Sequence, residues 1–351
     1  MLIRTFVVLA AALIASVTAG IAHAAAPREF NSSAEVLKFI NDYRGRPDPA
    51  RAVQAIRDMS RFGDLRNPES AGVYLGFAAG VLAANPEQAG ALVDKMLPLP
   101  AEDQWLVVRA IAYSDVPKWR FLLARIRPRV PARGALVENY IAGRLPVLTQ
   151  FKVEATKESW FARVGQSMSI SAKQKEEPKD NPVVLNPSPE LLDTFWGYYF
   201  ATGYPRALQN IMALLPLSKD KDEVEKLTLG AMAKYTLAEN ASRDPVLLAT
   251  LKTVRRAQSK EVRLVLDEAI QAADDVDVTR VRREMLASLD ELKRKGSATS
   301  RNISFWGQVG QGALAAGCIA AAVAGQVELG VPCVVGGAVS SGALHLWTSQ
   351  N

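Results

Sequence analysis

An all-α protein is predicted by three features of the sequence. Apolar residues recur at three- and four-residue spacing along most of the chain. Helix-start signals built on Ser, Asn, Asp and Pro return at short intervals, and strand-like alternation is absent apart from a weak segment from Val147 to Val153. The arrangement expected is a helical bundle or solenoid-like stack of short antiparallel helices, followed by a C-terminal Gly/Ala-rich helical hairpin.

The chain opens on what reads as an export signal over residues 1–24. Arg4 is the only charge ahead of an apolar run from Phe6 to Val17, and Ala22-His23-Ala24 is a small-x-small cleavage site. That run is shorter than the about 20 residues a bilayer span needs, so cleavage near Ala25 is expected rather than anchoring.

An N-terminal helical domain is expected over residues 28–165. Ser32-Ser33-Ala34-Glu35 has the form of a capping box, ahead of Val36, Leu37, Phe39 and Ile40 at helical spacing. A turn at Gly45-Arg46-Pro47-Asp48-Pro49 leads to a second helix through Val53, Ile56 and Met59, with Gly63 past its end. Asn67-Pro68-Glu69 opens a third, and Asn85-Pro86-Glu87 stops it and opens a fourth. Helices around Trp105 to Ala112 and Trp119 to Ile126 follow. The repeated Asn-Pro-Glu triplet marks one helix plus a turn, and the positions diagnostic of tetratricopeptide repeats are not met.

Residues 166–189 lose this periodicity. The run from Ser171 to Pro189 is rich in Lys, Glu, Pro, Ser and Asn and cannot bury enough apolar surface to offset its ordering entropy, so a linker or long surface loop is expected. A second helical region is expected over 190–297. Ser188-Pro189-Glu190 starts it, and Phe195, Trp196, Tyr198, Tyr199 and Phe200 form the densest aromatic cluster of the chain, read as core packing rather than a binding groove. Later helices start near Pro205, Val224 and Pro245, with a break near Ser259. An amphipathic stripe runs through Val278, Val281, Met285, Leu289 and Leu292. Asp274, Asp275 and Asp277 lack the spacing of a calcium loop and read as helix capping.

The tail over 303–348 is different in kind. Between Trp306 and Trp347 the only formal charge is Glu328. Two helices with a turn near Glu328 are expected, with the tryptophans as interfacial aromatics. Gly317, Ala321 and Gly325 lie four apart, as do Gly337 and Ser341, a spacing of small residues that allows close helix pairing. The two cysteines of the chain, Cys318 and Cys333, fall on either side of that turn and are expected to form a disulfide in an oxidising compartment. The tail's lack of charge favours contact with a lipid bilayer; the basic residues before it and its modest hydrophobicity favour burial against protein.

Composition excludes more than it assigns. With the signal removed only His345 remains, which argues against His-based triads and His-rich zinc sites. No phosphate-binding loop, nucleophile elbow or Cys-x-x-Cys pair is present, and no cofactor or metal is expected. A basic patch, Lys118, Arg120, Arg125, Arg127, Arg129 and Arg133, suits anionic lipid or another acidic partner, or simply a solvated helix face; nucleic acid is not expected, because no aromatic-basic motif accompanies it. The function expected is that of a non-enzymatic, exported helical scaffold or protein-interaction protein of the cell envelope, tethered through its tail. The alternatives are a glycine-rich pore-forming or translocating protein and, behind both, an exported hydrolase needing two carboxylates in one pocket.

Overall fold

The computed structural model describes residues 29–153, 184–220, 223–275 and 278–299. Among these residues the chain is all-α: thirteen helices, most of them joined by short turns, with one isolated parallel bridge between Phe151 and Leu185 where the weak strand-like segment ends.

Local chemistry places most helix ends. Helix α1 (Ser33–Asp42) begins where Ser32 Oγ accepts from Glu35 N at 3.3 Å. The Glu35 carboxylate reaches back to Asn31 N at 3.0 Å, one residue earlier than the sequence pattern implies. Helix α2 (Pro49–Phe62) is capped by Asp48 and stops at Gly63, whose φ of 84° is left-handed. The two Asn-Pro-Glu triplets do different work. Asn67 Oδ1 accepts from Glu69 N and opens a 3-10 turn before α3 (Gly72–Ala84), whereas Asn85 donates its amide back to Val81 O at the end of α3, ahead of α4 (Ala89–Met96). Helices α5 (Gln104–Tyr113), α6 (Trp119–Ile126) and α7 (Gly134–Ile141) complete the first stretch.

The expected linker, 166–189, falls mostly outside the described residues. The chain re-enters with α8 (Pro189–Thr202), capped by Ser188, and α9 (Pro205–Ala213). Helix α10 (Val224–Arg243) follows, then α11 (Pro245–Val254) and α12 (Lys260–Asp274), separated by a 3-10 turn and the Ser259 cap where the break was expected, and α13 (Thr279–Thr299). The buried side chains on both sides of residues 154–183 form one continuous core. Arg44 helps join its early and late parts: its guanidinium pairs with Asp244, the cap of α11, and lies 4.7 Å over the Tyr199 ring of α8.

The most extensive helix contact is between α3 and α8. Helix α3 is apolar all round, as a helix surrounded by protein must be, and its eleven residues from Gly72 to Leu82 are buried. Along one edge it carries Gly72, Gly76 and Gly80, and α8 answers with Gly197. A methyl added at Gly76 would lie 1.9 Å from Thr194 O, and one at Gly197 would lie 2.0 Å from Val73 O. The backbones therefore touch where glycine removes the side chain. The aromatic cluster of α8 turns into the core beside this contact: Phe195, Trp196 and Tyr199 are at most 2% exposed, and Trp196 Nε1 donates to Thr236 Oγ1 of α10 at 3.0 Å.

The second centre of packing is α10, buried along almost its whole length. Its Lys234 is 2% exposed and its ammonium bridges Glu268 of α12 and Glu284 of α13. Lys219 shares Glu268 from outside at 3.0 Å. Lys234→Met is expected to cost about 1–2 kcal/mol, below the usual cost of breaking a buried pair because Glu284 is 46% exposed and can hydrate. Native-state hydrogen exchange checks it: amides of α13 should exchange faster while those of α3 keep their protection.

Candidate functional site

Helix α5 builds the site. Trp105, Arg109 and Tyr113 recur at four-residue intervals and share one face of it. Trp105 Nε1 donates to Leu65 O at 3.1 Å, which fixes the ring against the α2–α3 connection. The Arg109 guanidinium lies 5.6 Å over the Trp105 ring and 5.2 Å over the Tyr113 ring, and its Nη2 donates to Tyr113 Oη at 3.1 Å. From α7, Tyr140 meets Tyr113 edge-on at a ring separation of 6.4 Å. From the first turn of α8, Glu190 brings Oε1 to 2.7 Å from Arg109 Nη1. That approach is a close ion pair, so the guanidinium partners Oε1.

These side chains form one wall of a cavity of about 470 Å³. Leu136, Leu145, Leu185 and Leu191 supply apolar surface, and Glu69, from the 3-10 turn before α3, supplies a second carboxylate. The volume lies within the range of small-ligand sites, which is roughly 300–1,000 Å³.

Burial and charge work against each other here. Burial acts to lower the Arg109 pKa, but Glu190, then Tyr113 and Tyr140, outweigh it and hold the guanidinium charged. Burial pushes the Glu69 carboxyl up, and the charge of Glu190 pushes it the same way. One turn beyond Glu190, Asp193 is 0% exposed and neither carboxylate oxygen has a hydrogen-bond partner among the described residues. Burial raises its pKa well above the ordinary carboxylate value, and Glu190 adds to the shift.

A raised folded-state pKa has a definite sign in stability. The folded protein holds a proton that the unfolded chain releases, so this contribution is fully present below the ordinary carboxylate pKa and is lost as pH rises through the raised one. Denaturant melts at about pH 5 and about pH 7.5 should therefore show the protein more stable at the lower pH. Asp193→Asn should flatten that difference and raise stability at neutral pH. A wild-type midpoint that does not rise toward pH 5 would count against a strained buried acid.

The basic patch read from the sequence is largely engaged in structure. Arg125 and Arg129 both pair with Asp94 of α4, at 3.1 Å and 2.5 Å, and Arg127 pairs with Glu138 of α7. Arg133 donates to the carbonyls of Ala101 and Glu102 at 3.2 and 2.8 Å and borders the cavity. Arg120 stacks over Trp119 at 4.4 Å, and Lys118 precedes α6 with a left-handed φ of 60°. The tail residues, Cys318, Cys333, Gly317, Ala321, Gly325, Gly337, Ser341, Trp306 and Trp347, lie outside the described residues. Among the described residues no helix is long and apolar enough to cross a membrane, and no group of three or more His, Cys, Asp or Glu side chains is placed to hold a metal ion.

In the sequence Glu69 and Glu190 mark only helix starts, and Arg109 and Asp193 carry no assigned role. A signal was present: Arg109 is the sole charge in the apolar run from Trp105 to Tyr113, and Glu190 and Asp193 open the aromatic-rich helix. No protein-family model, curated protein or solved structure matches the chain.

Proposed function

We propose that this is an exported, non-catalytic binding protein of the cell envelope, in which a stack of short helices presents the Arg109–Glu190 cavity to a protein partner and the 303–348 hairpin tethers the molecule. The observation that carries the binding role is a cavity of ligand size with a desolvated ion pair in its wall and a second carboxylate beside it. Buried charges are costly to hold, and their retention in a cavity wall suits recognition. Among the described residues the lining offers no activated nucleophile. It contains neither His nor Cys, and Ser188 Oγ is already committed to capping Leu191 N at 3.1 Å. Export rests on the N-terminal signal, and the tether on the uncharged tail.

Site-directed photo-crosslinking in cells tests the binding role. A benzophenone side chain at Leu145, in the cavity lining, should give one discrete adduct that the same group at exposed Leu264 of α12 does not. Matching adduct patterns, or none at Leu145, would overturn it. For the tether, the mature protein should fractionate with membranes and a chain ending at residue 302 should be soluble; complete release of the full-length form by salt would contradict it.

A second reading has an observation in its favour. Glu69, with its raised pKa, and Glu190 share the cavity, the pairing an acid-only exported hydrolase needs. Loss of a glycan-cleaving activity in Glu69→Gln would favour it over the binding role.

A further inference from the structure

We propose that the exposed face of α6 docks on the surface of an anionic lipid bilayer, with the Phe121 ring entering the headgroup–acyl boundary and Lys118 and Arg120 meeting lipid phosphates. The inference goes beyond the cavity's binding role and concerns residues outside the cavity lining. Helix α6 sends Leu122, Leu123 and Ile126 into the core, and a surface helix of this kind keeps its remaining positions polar. Here the exposed positions include an apolar series, Pro117, Phe121, Ala124 and Pro128, spaced by four, three and four residues. Phe121 is 71% exposed, more than Val246, Leu264 or Tyr204, the other large apolar side chains left in water among the described residues. Water gains nothing from that ring, and a bilayer boundary does.

The charge around the series is positive and is not balanced within the protein. Lys118 and Arg120, on either side of Trp119, are exposed and form no ion pair among the described residues; Arg120 stacks over the Trp119 ring at 4.4 Å. One turn beyond Phe121, Arg125 shares the carboxylate of Asp94 with Arg129, so two guanidiniums meet one acid. Residues 115–129 and their ion-pair partners hold five cations, Lys118, Arg120, Arg125, Arg127 and Arg129, against three carboxylates, Asp115, Asp94 and Glu138. A protruding aromatic ring flanked by unbalanced cations is complementary to a surface that is anionic outside and apolar just beneath. The ring takes the boundary, and the cations stay at the level of the phosphates.

A dansylalanine side chain in place of Phe121 in the full-length protein reads docking at the ring itself, because its emission moves to shorter wavelength in apolar surroundings. The same group in place of Leu264 on α12 is the control. On vesicles of phosphatidylglycerol and phosphatidylcholine in equal parts, the Phe121 probe should shift by about 20 nm and be quenched by brominated acyl chains, with no change in the Leu264 probe. The shift should vanish on phosphatidylcholine alone and in about 0.5 M sodium chloride. It should also vanish when Lys118→Gln and Arg120→Gln are added, with melting unchanged. An unshifted Phe121 probe on the mixed vesicles, an equal shift of the Leu264 probe, or a shift that survives loss of both cations overturns the proposal. An unshifted probe together with a discrete adduct from benzophenone at Phe121 in cells overturns it in favour of a protein partner on this face. Neither result touches the cavity's role, which is read from Leu145.

Discussion

Gly76→Ala is expected to destabilise the protein by about 4 kcal/mol or more, lowering the melting temperature by about 8–16 °C for a chain of this size. The added methyl would meet Thr194 O at 1.9 Å and the Thr194 carbonyl carbon at 2.7 Å. Both are backbone atoms, and they can move only if α3 and α8 separate along their shared length. Overpacking a core usually costs about 1–3 kcal/mol because side chains shift to absorb it, and that route is closed here. Gly80→Ala provides the contrast. Its first obstruction is the Ala201 methyl at 2.6 Å, so Gly80→Ala should be milder and Ala201→Gly should relieve part of it. Gly134, at the start of α7 with nothing within 4 Å, should accept Ala within about 0.5 kcal/mol. Thermal melts of the four variants check the series, and a Gly76→Ala midpoint close to wild type would mean that the helices are not in backbone contact.

Arg109→Met should be nearly as damaging, costing about 3–5 kcal/mol, because the methionine keeps much of the packing against Trp105 and Tyr113 while leaving Glu190 without its cation. The measurement that isolates the ion pair is a double-mutant cycle with Glu190→Gln. If the pair is what the arginine stabilises, the double variant should recover most of the single-variant loss, since no buried charge is left uncompensated on either side. Additive costs would show instead that Arg109 acts through its stacking on the two rings.

Much of the fold was legible because helix ends are local. Ser32, Asp48, Ser188, Asp244 and Ser259 each cap a helix through atoms two or three residues away, which is the range over which a sequence can be read directly. Gly72, Gly76 and Gly80 recur every four residues, yet that spacing alone does not say which helix they meet. The same small-residue spacing marks the tail, where the uncharged context points to helix pairing; in α3 it lies within a helix apolar all round and does not stand out. The cavity escaped for a different reason. Glu69, Arg109 and Glu190 come from three separated segments, and only the packing of α5, α7 and α8 brings them together. A compositional break such as 166–189 shows where apolar burial stops but not where the chain packs when it resumes, and α8 resumes against α3.

In the proposed function the cavity lined by Arg109, Glu190 and Glu69 serves recognition and not stability alone. The direct test is the photo-crosslink from Leu145 in cells, compared between wild type and Glu69→Gln with thermal melts on both. The adduct should be lost in Glu69→Gln while the melting temperature holds or rises slightly. An adduct of undiminished yield in that variant would contradict it.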